Sequence, residues 1–336
     1  MAGGDSMTTP IRWGILGTGS IAGQFVEGLR ALPDADVRAV GSRTLERAEA
    51  FGGERGIPNR HGSYEALASD PEVDVIYIAT PHPMHARDSI LCLEHGKHVV
   101  CEKPVTVNSG ELEQVLGAAK ASGKFFMEAM WMYFTPNIRL AESLVRDGAI
   151  GKVRMLTAHF GFQADADETS RLLNPDLAGG ALLDVGIYPI AFALLMMGGV
   201  PKRMTSSACL GQTGVDEQSA YLFEYEDGAI AQLSSAVTTT TPYDAWILGD
   251  AGRIHVHAPF WGRCPGYTLY QGDDEEGTYV SEPLRGNGYD YEAEAAMQAI
   301  RDGLTEHPRM PHRRSQEFMA TMDALRAQWG LRYPFE

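Results

Sequence analysis

Two domains of different class are predicted: an α/β N-terminal Rossmann domain over residues 1–127, and an α+β C-terminal domain over 128–336 with a large open, mostly antiparallel sheet. Three observations carry this. A glycine-rich turn, Gly17-Thr18-Gly19-Ser20-Ile21-Ala22, follows directly on the apolar run Ile11–Leu16. Apolar β-type runs then alternate with helical stretches as far as Cys101, as in a parallel, doubly wound sheet. From Gly151 onward the β-type runs are separated by turns such as Glu226-Asp227-Gly228, as in hairpins. The length of 336 residues agrees, since domains commonly span ~100–200 residues.

The first strand is Ile11–Leu16, and Ile21, Phe25, Leu29 and Leu32 then recur at helical spacing up to Pro33. The turn between them has the spacing of a dinucleotide site. Gly17 permits the tight turn, Gly19 lets the backbone approach a pyrophosphate, and Ala22 is small enough for helix and strand to pack closely. The free N–H groups of the helix start, around Thr18, Ser20 and Ile21, then face the phosphates. The second strand, Val37–Gly41, ends in Ser42-Arg43-Thr44. An acid at that place binds the ribose 2′-OH of NAD, but no acid occurs before Glu46. A guanidinium pairs with a 2′-phosphate and stacks on adenine. Ser42, Arg43 and, one helical turn later, Arg47 therefore point to NADP, with NAD as a possible second cofactor.

The alternation continues. Glu46–Phe51 and Tyr64–Leu67 read as helices, Val73–Thr80 as a strand, His85–His95 as a helix and Lys97–Cys101 as a strand. Ligands of such sheets bind beyond the carboxyl ends of the strands, so Thr80-Pro81 and Glu102-Lys103-Pro104 are expected to face the cofactor.

The glycine turn, Thr80-Pro81 followed by His85, and Glu102-Lys103-Pro104 together resemble the Gfo/Idh/MocA oxidoreductases. Met127-Glu128-Ala129-Met130-Trp131, Gly180–Pro189 and the ending Ala327–Pro334 are similar to the branch that holds dimeric dihydrodiol dehydrogenases and NADP-dependent D-xylose dehydrogenases. The resemblance spans about residues 11–334. It implies hydride transfer between a CH–OH group and nicotinamide, with His85 among the cofactor-binding residues. Lys103 next to the reacting oxygen would favour alkoxide character. Asp184 and Tyr188 are four apart, and so share one face if helical. Inositol-oxidising members have histidine at the second of these positions, so Tyr188 argues against an inositol substrate. A free tyrosine titrates near ~10, and a Lys103 cation nearby is expected to lower that value. Tyr188 would then be general base or acid, Lys103 its electrostatic partner, and Asp184 the group that orients lysine or substrate; either Lys103 or Tyr188 could be the immediate proton acceptor. Trp131 is implied to line the substrate site, and Phe160 or Phe162 would add a second wall.

Composition sets limits. Lys+Arg number 28 and Asp+Glu 44, a net charge of −16, which disfavours nucleic acid as partner. Cys92, Cys101, Cys209 and Cys264 form no CxxC pair, so buried reduced thiols in a cytoplasmic protein are expected rather than a zinc ribbon or disulfide framework. Residues 1–10 lack a basic start followed by an apolar stretch, so no secretory leader is expected. Val185–Pro201 is uncharged but interrupted by Gly186 and Pro189, and reads as a buried helix, not a membrane span. The acidic runs Asp165–Glu168 and Asp273–Glu276 lack calcium-loop spacing, and no metal site is expected. Phe318, Met322, Leu325 and Trp329 mark a last helix stopped at Gly330. A sheet covered by helices on one face only leaves the other open, so a homodimer through the C-terminal sheet is expected. The activity expected is an NADP-dependent dehydrogenase of a small polyhydroxylated substrate, an aldose at C1 or a trans-dihydrodiol. The alternatives are a keto- or anhydro-sugar reductase and an NADP-binding sensor without turnover.

Overall fold

The computed structural model describes residues 9–336; most of the stretch read for a leader, residues 1–8, lies outside the described residues. The chain builds β1 (Ile11–Leu16), α1 (Ser20–Leu29), β2 (Ala35–Gly41), α2 (Leu45–Arg55), β3 (Asn59–His61), α3 (Tyr64–Ala68), β4 (Val75–Ile78), α4 (His85–Glu94), β5 (His98–Glu102), α5 (Ser109–Ser122) and β6 (Phe126–Ala129). The six strands form one sheet in the order β3-β2-β1-β4-β5-β6, and every pair is parallel. Val75, Ile76, Tyr77 and Ile78 are all buried, because helices cover both faces. Gly17 has φ +110°, and a Cβ there would lie 2.9 Å from the Ala79 carbonyl oxygen. The turn between β1 and α1 therefore requires glycine.

The second half continues with α6 (Pro136–Arg146), β7 (Val153–Gly161), α7 (Ile187–Met196), β8 (Arg203–Leu210), β9 (Asp216–Glu224), β10 (Ile230–Ala236), β11 (Ala245–Gly249), β12 (Gly252–Val256), β13 (Tyr267–Gln271), β14 (Thr278–Val280), α8 (Tyr289–Arg301) and α9 (His312–Trp329). Its sheet runs β14-β13-β12-β11-β7-β10-β9-β8, antiparallel throughout except for the parallel pair β7 and β10. One face is covered by α7, whose residues Ile187–Leu194 are all buried. Pro175–Met196 is long and apolar enough to cross a membrane by composition, yet 94% of its most apolar window is buried within the fold. The opposite face of the sheet carries Thr157, Ala220, Leu222, Trp246 and Tyr270, all partly or fully exposed. Cys209 is exposed on β8, whereas the other three cysteines are buried as expected. Its strand lies at the sheet edge, where burial is incomplete.

The last two helices return to the first sheet. α8 packs on α1, and α9 packs on α5 and on β8. Between them the Thr305 carbonyl accepts from the Phe126 N–H on the edge strand β6, at 3.0 Å. Helix α8 and the hairpin strand pair β13–β14 were not anticipated from periodicity. In α8 the fully buried Asp290 and Glu292 interrupt the apolar stripe by which a helix is recognised.

Candidate active site

The N-terminus of α1 has no side-chain cap and no acidic residue in its first turn. A Cβ on Gly19 would meet nothing within 4 Å. The backbone N–H groups at Ser20 and Ile21, beside Thr18, thus open onto clear space, which is the arrangement a pyrophosphate requires. Ser42 at the end of β2 is buried, while Arg43 and Arg47 are exposed, and neither has a salt-bridge partner among the described residues. Thr44 caps α2 by accepting from the Arg47 N–H at 3.4 Å. Burial and the Asp88 carboxylate raise the Tyr64 phenol, and the cations of Arg43, Arg87 and Arg47 oppose that rise. Arg87 was not anticipated, since it stands on α4 and no spacing relates it to Arg43. An uncapped helix start and a cationic rim at the far end of the groove fit a phosphorylated dinucleotide.

The ends of β4 and β5 meet over His85. Its Nδ1 lies 2.7 Å from the Pro104 carbonyl oxygen, and its Nε2 lies 2.7 Å from that of Thr80. The ring is buried and ties the two strand ends together. Thr80 in turn donates through Oγ1 to Asp88 at 2.9 Å, while Pro81 stays exposed at the rim. Glu102 is also turned inward, where it accepts from the Tyr77 hydroxyl and from the Lys103 N–H at 3.2 Å. Burial pushes the Glu102 carboxyl up, against the pull of Lys103 and Tyr77. His85 and Glu102 were expected to face the cofactor; both side chains are committed to internal partners, and what they do here is position Thr80 and Lys103.

Lys103 reaches across to the second half of the chain. Its Nζ donates to the Asp184 carbonyl oxygen at 2.7 Å and lies 3.9 Å from the Asp184 carboxylate. Residues Leu182–Gly186 form a π-type turn that leads into α7. In that register the Asp184 carbonyl would pair with residue 189, but Pro189 has no N–H, and lysine takes the free oxygen. The turn is pinned from below. A Cβ on Gly186 would lie 2.6 Å from the Tyr221 hydroxyl, and the buried Asp216 carboxyl accepts from the Leu182 N–H at 2.7 Å. Arg171, from the loop after β7, pairs with Asp184 at 2.9 Å. Burial alone would raise the Asp184 carboxyl, but Lys103 and Arg171 together hold it below the ordinary value. His82 is pushed down to about 3 by burial and by its neighbour His85, and stands neutral.

Tyr188 does not behave as the sequence suggested. Its phenol is pushed well above 10 by burial, then by Tyr289 and Glu102. Lys103 sits over the ring face, 5.0 Å from the centroid, and does not offset that rise. The Tyr188 oxygen accepts from the Trp131 indole N–H at 3.0 Å, and Trp131 stacks on Tyr289 at 4.3 Å. Phe160 lies 5.6 Å from Tyr188, with Phe162 a further 6.4 Å along. Trp261 stacks flat on Phe160 at 4.0 Å, and its buried indole N–H has no partner among the described residues. Trp261, Arg171 and His82 escaped the sequence reading, because each comes from a loop with no periodic pattern. Lys103, Asp184, Tyr188, Trp131 and Phe160 are brought together. No cluster of three or more metal-ligating side chains occurs among the described residues.

A family profile described as "Oxidoreductase family, NAD-binding Rossmann fold" matches residues 11–130. A second, the GFO/IDH/MocA C-terminal domain, matches residues 138–255. The chain is 37% identical over 332 residues to a zebrafish (Danio rerio) trans-1,2-dihydrobenzene-1,2-diol dehydrogenase, covering 96% of this chain and 98% of the relative. The human protein of that name is 33% identical over 332 residues, with the same coverage. Among solved structures, a 3-ketoreductase from Actinomadura kijaniata in complex with NADP and TDP-benzene superposes with a TM-score of 0.85 at 27% identity, covering 95% of this chain and 98% of that one. An aldose-aldose oxidoreductase from Caulobacter crescentus shares the fold, with a TM-score of 0.86 at 24% identity and coverage of 96% and 98%.

Proposed function

The chain belongs to the Gfo/Idh/MocA family of oxidoreductases, and on that premise we propose that it is an NADP-dependent dehydrogenase that oxidises a CH–OH group of a small polyhydroxylated ring, a trans-dihydrodiol or an aldose at C1. The observation that carries this reading is the convergence of Lys103, Asp184 and Tyr188 at the carboxyl end of the parallel sheet, beside an aromatic wall. NADP, when bound, accepts the hydride released from the carbinol carbon. The chain's own residues handle the oxygen left behind. Lys103 supplies a cation that stabilises negative charge developing on it. Arg171 holds the Asp184 carboxylate that pairs with that cation. The Tyr188 hydroxyl bonds to the substrate oxygen, and the hydroxyl proton released as the hydride leaves passes through it to solvent.

Arg43 and Arg47 support NADP as the cofactor, since both are exposed cations without a salt-bridge partner among the described residues. One observation favours a second reading, reduction of a keto or anhydro sugar: a phenol held well above 10 is a proton donor, as carbonyl reduction needs. The assay that separates them follows reduced nicotinamide by absorbance in both directions. NADP and NAD are tried in parallel with aldoses, inositols and trans-dihydrodiols, and NADPH with keto sugars. Oxidation of a dihydrodiol or aldose with NADP is expected. Cofactor binding without turnover of any compound would move the chain to the sensor reading.

We also propose that a second copy covers the open sheet face. On that face Thr157 of β7, Leu222 of β9 and Trp246 of β11 are uncharged, and a twofold contact between two copies would bury them. Sedimentation equilibrium is expected to give twice the chain mass, and Trp246→Arg to give the single-chain mass.

A further inference from the structure

Tyr243 has φ +64°. For a bulky aromatic residue the left-handed region is a true outlier, and such backbones cluster at functional sites. The conformation is held from both sides. The Tyr243 carbonyl accepts from the Phe260 N–H at 3.0 Å, and the next residue, Asp244, is paired with His255 at 2.7 Å. What the turn achieves is the placement of one ring. Tyr243 stands at 90° to Phe160, 5.7 Å away, and at 89° to Trp261, 6.2 Å away. Those two rings are parallel, at 4.0 Å and 5°. Tyr243 thus abuts the edges of both stacked rings at once, and the same turn bonds to the residue preceding Trp261. The stack lies next to Tyr188, 5.6 Å from it on the Phe160 side and 5.7 Å on the Trp261 side.

We propose that Tyr243 is a specificity-determining positioning residue: by bracing Phe160 and Trp261 edge-on, it keeps a rigid aromatic wall beside Tyr188 that favours a flat, unsaturated six-membered ring with adjacent hydroxyls over a puckered sugar ring. A flat ring meets aromatic side chains in offset or edge-to-face contact over its whole area. A puckered ring with hydroxyls around its rim meets them over less, and must strip water from those hydroxyls. This inference deepens the dehydrogenase reading of the same site by choosing between its two substrate classes.

The test measures binding to the full chain with saturating NADP, by quenching of tryptophan fluorescence, using catechol and D-xylose as probes. Tyr243→Asn removes the ring but tolerates the left-handed backbone. Tyr243→Phe keeps the ring and removes only the hydroxyl. Wild type is expected to bind catechol more tightly than xylose. Tyr243→Asn is expected to weaken catechol about fivefold to tenfold and to leave xylose within about twofold, while Tyr243→Phe matches wild type. A catechol-to-xylose ratio unchanged by Tyr243→Asn overturns the proposal. So does an equal loss for both probes, which marks a merely structural residue, or a wild type that prefers xylose. Turnover is scored separately: a Tyr243-dependent catechol preference without oxidation of any diol would sink the dehydrogenase reading and leave this one standing.

Discussion

The indole N–H of Trp131 points at the hydroxyl oxygen of Tyr188 from 3.0 Å. That bond occupies one lone pair of the hydroxyl oxygen and leaves its proton, with the second lone pair, for the substrate. The two residues come from opposite halves of the chain, and the bond between them places a proton donor at the junction of the two sheets.

Tyr188→Phe is expected to lower kcat by about 10²–10⁴-fold with little change in NADP affinity. Trp131→Phe removes the donor that draws the Tyr188 phenol down against burial. The alkaline limb of the kcat–pH profile should therefore shift to higher pH in Trp131→Phe, and its rate near neutrality should fall by less than in Tyr188→Phe. A limb that moves to lower pH would contradict this geometry.

Lys103→Met keeps the length of the side chain and removes the charge. The expected loss in kcat is about 10²–10³-fold, the scale seen when one group that stabilises an oxyanion is deleted. NADP binding, followed by fluorescence, should stay within about threefold, since Lys103 bonds to Asp184 and not to the phosphate-binding turn. A matching collapse of cofactor affinity would show the lysine to be a binding group.

Arg43→Asp is expected to weaken NADP by about 10–100-fold, a loss of roughly 1.4–3 kcal/mol for one charge-assisted phosphate contact. NAD should be little affected, or gain where the new acid meets the ribose 2′-OH. Equal losses for the two cofactors would remove Arg43 from cofactor choice. Arg47→Ala, one helical turn from Arg43 and likewise without a salt-bridge partner among the described residues, serves as the companion variant, with the same sign.

Asp216 anchors the active-site turn through Leu182, and burial raises its carboxyl to about 7. Its folded-state value thus lies above the unfolded one, so the folded chain holds the proton more tightly. Stability from this group is full below roughly pH 4 and falls as pH rises toward about 7. Asp216→Asn keeps an oxygen for Leu182 and has no charge to bury. In denaturant melts its advantage over wild type should widen by about 1.4 kcal/mol per pH unit across that window, and then level off. A difference independent of pH would show that Asp216 is already neutral or exposed.

Much of this architecture is legible in one dimension, and the reason is local. Gly17 and Gly19 stand next to a strand and a helix whose periods are unbroken, and Val75–Ile78 is a compact β-branched and aromatic run. Lys103, Asp184 and Tyr188 sit in short stretches that read as units. What could not be read is what depends on packing from afar. Whether Tyr188 titrates above or below 10 is decided by burial and then by Tyr289 and Glu102, one from the last quarter of the chain and one from the first third. Arg171 and Trp261 reach the site from loops whose course no periodicity announces. The strands Tyr267–Gln271 and Thr278–Val280 are short and lie next to glycine-rich and acidic turns, so their pattern has too few residues to count.

The return of α8 and α9 to the first sheet sets the order in which this chain can mature. During synthesis β1 and α1 leave the ribosome first, yet the helix that covers α1 and the segment that seals the edge of β6 are made last. A newborn chain therefore carries uncovered apolar surface on α1 and α5 until almost every residue has emerged, and closes only through contacts between its two extremes. Contacts of such long sequence separation are slow to form and leave partly built chains prone to aggregate. Cutting the gene after β6 would make that transient exposure permanent.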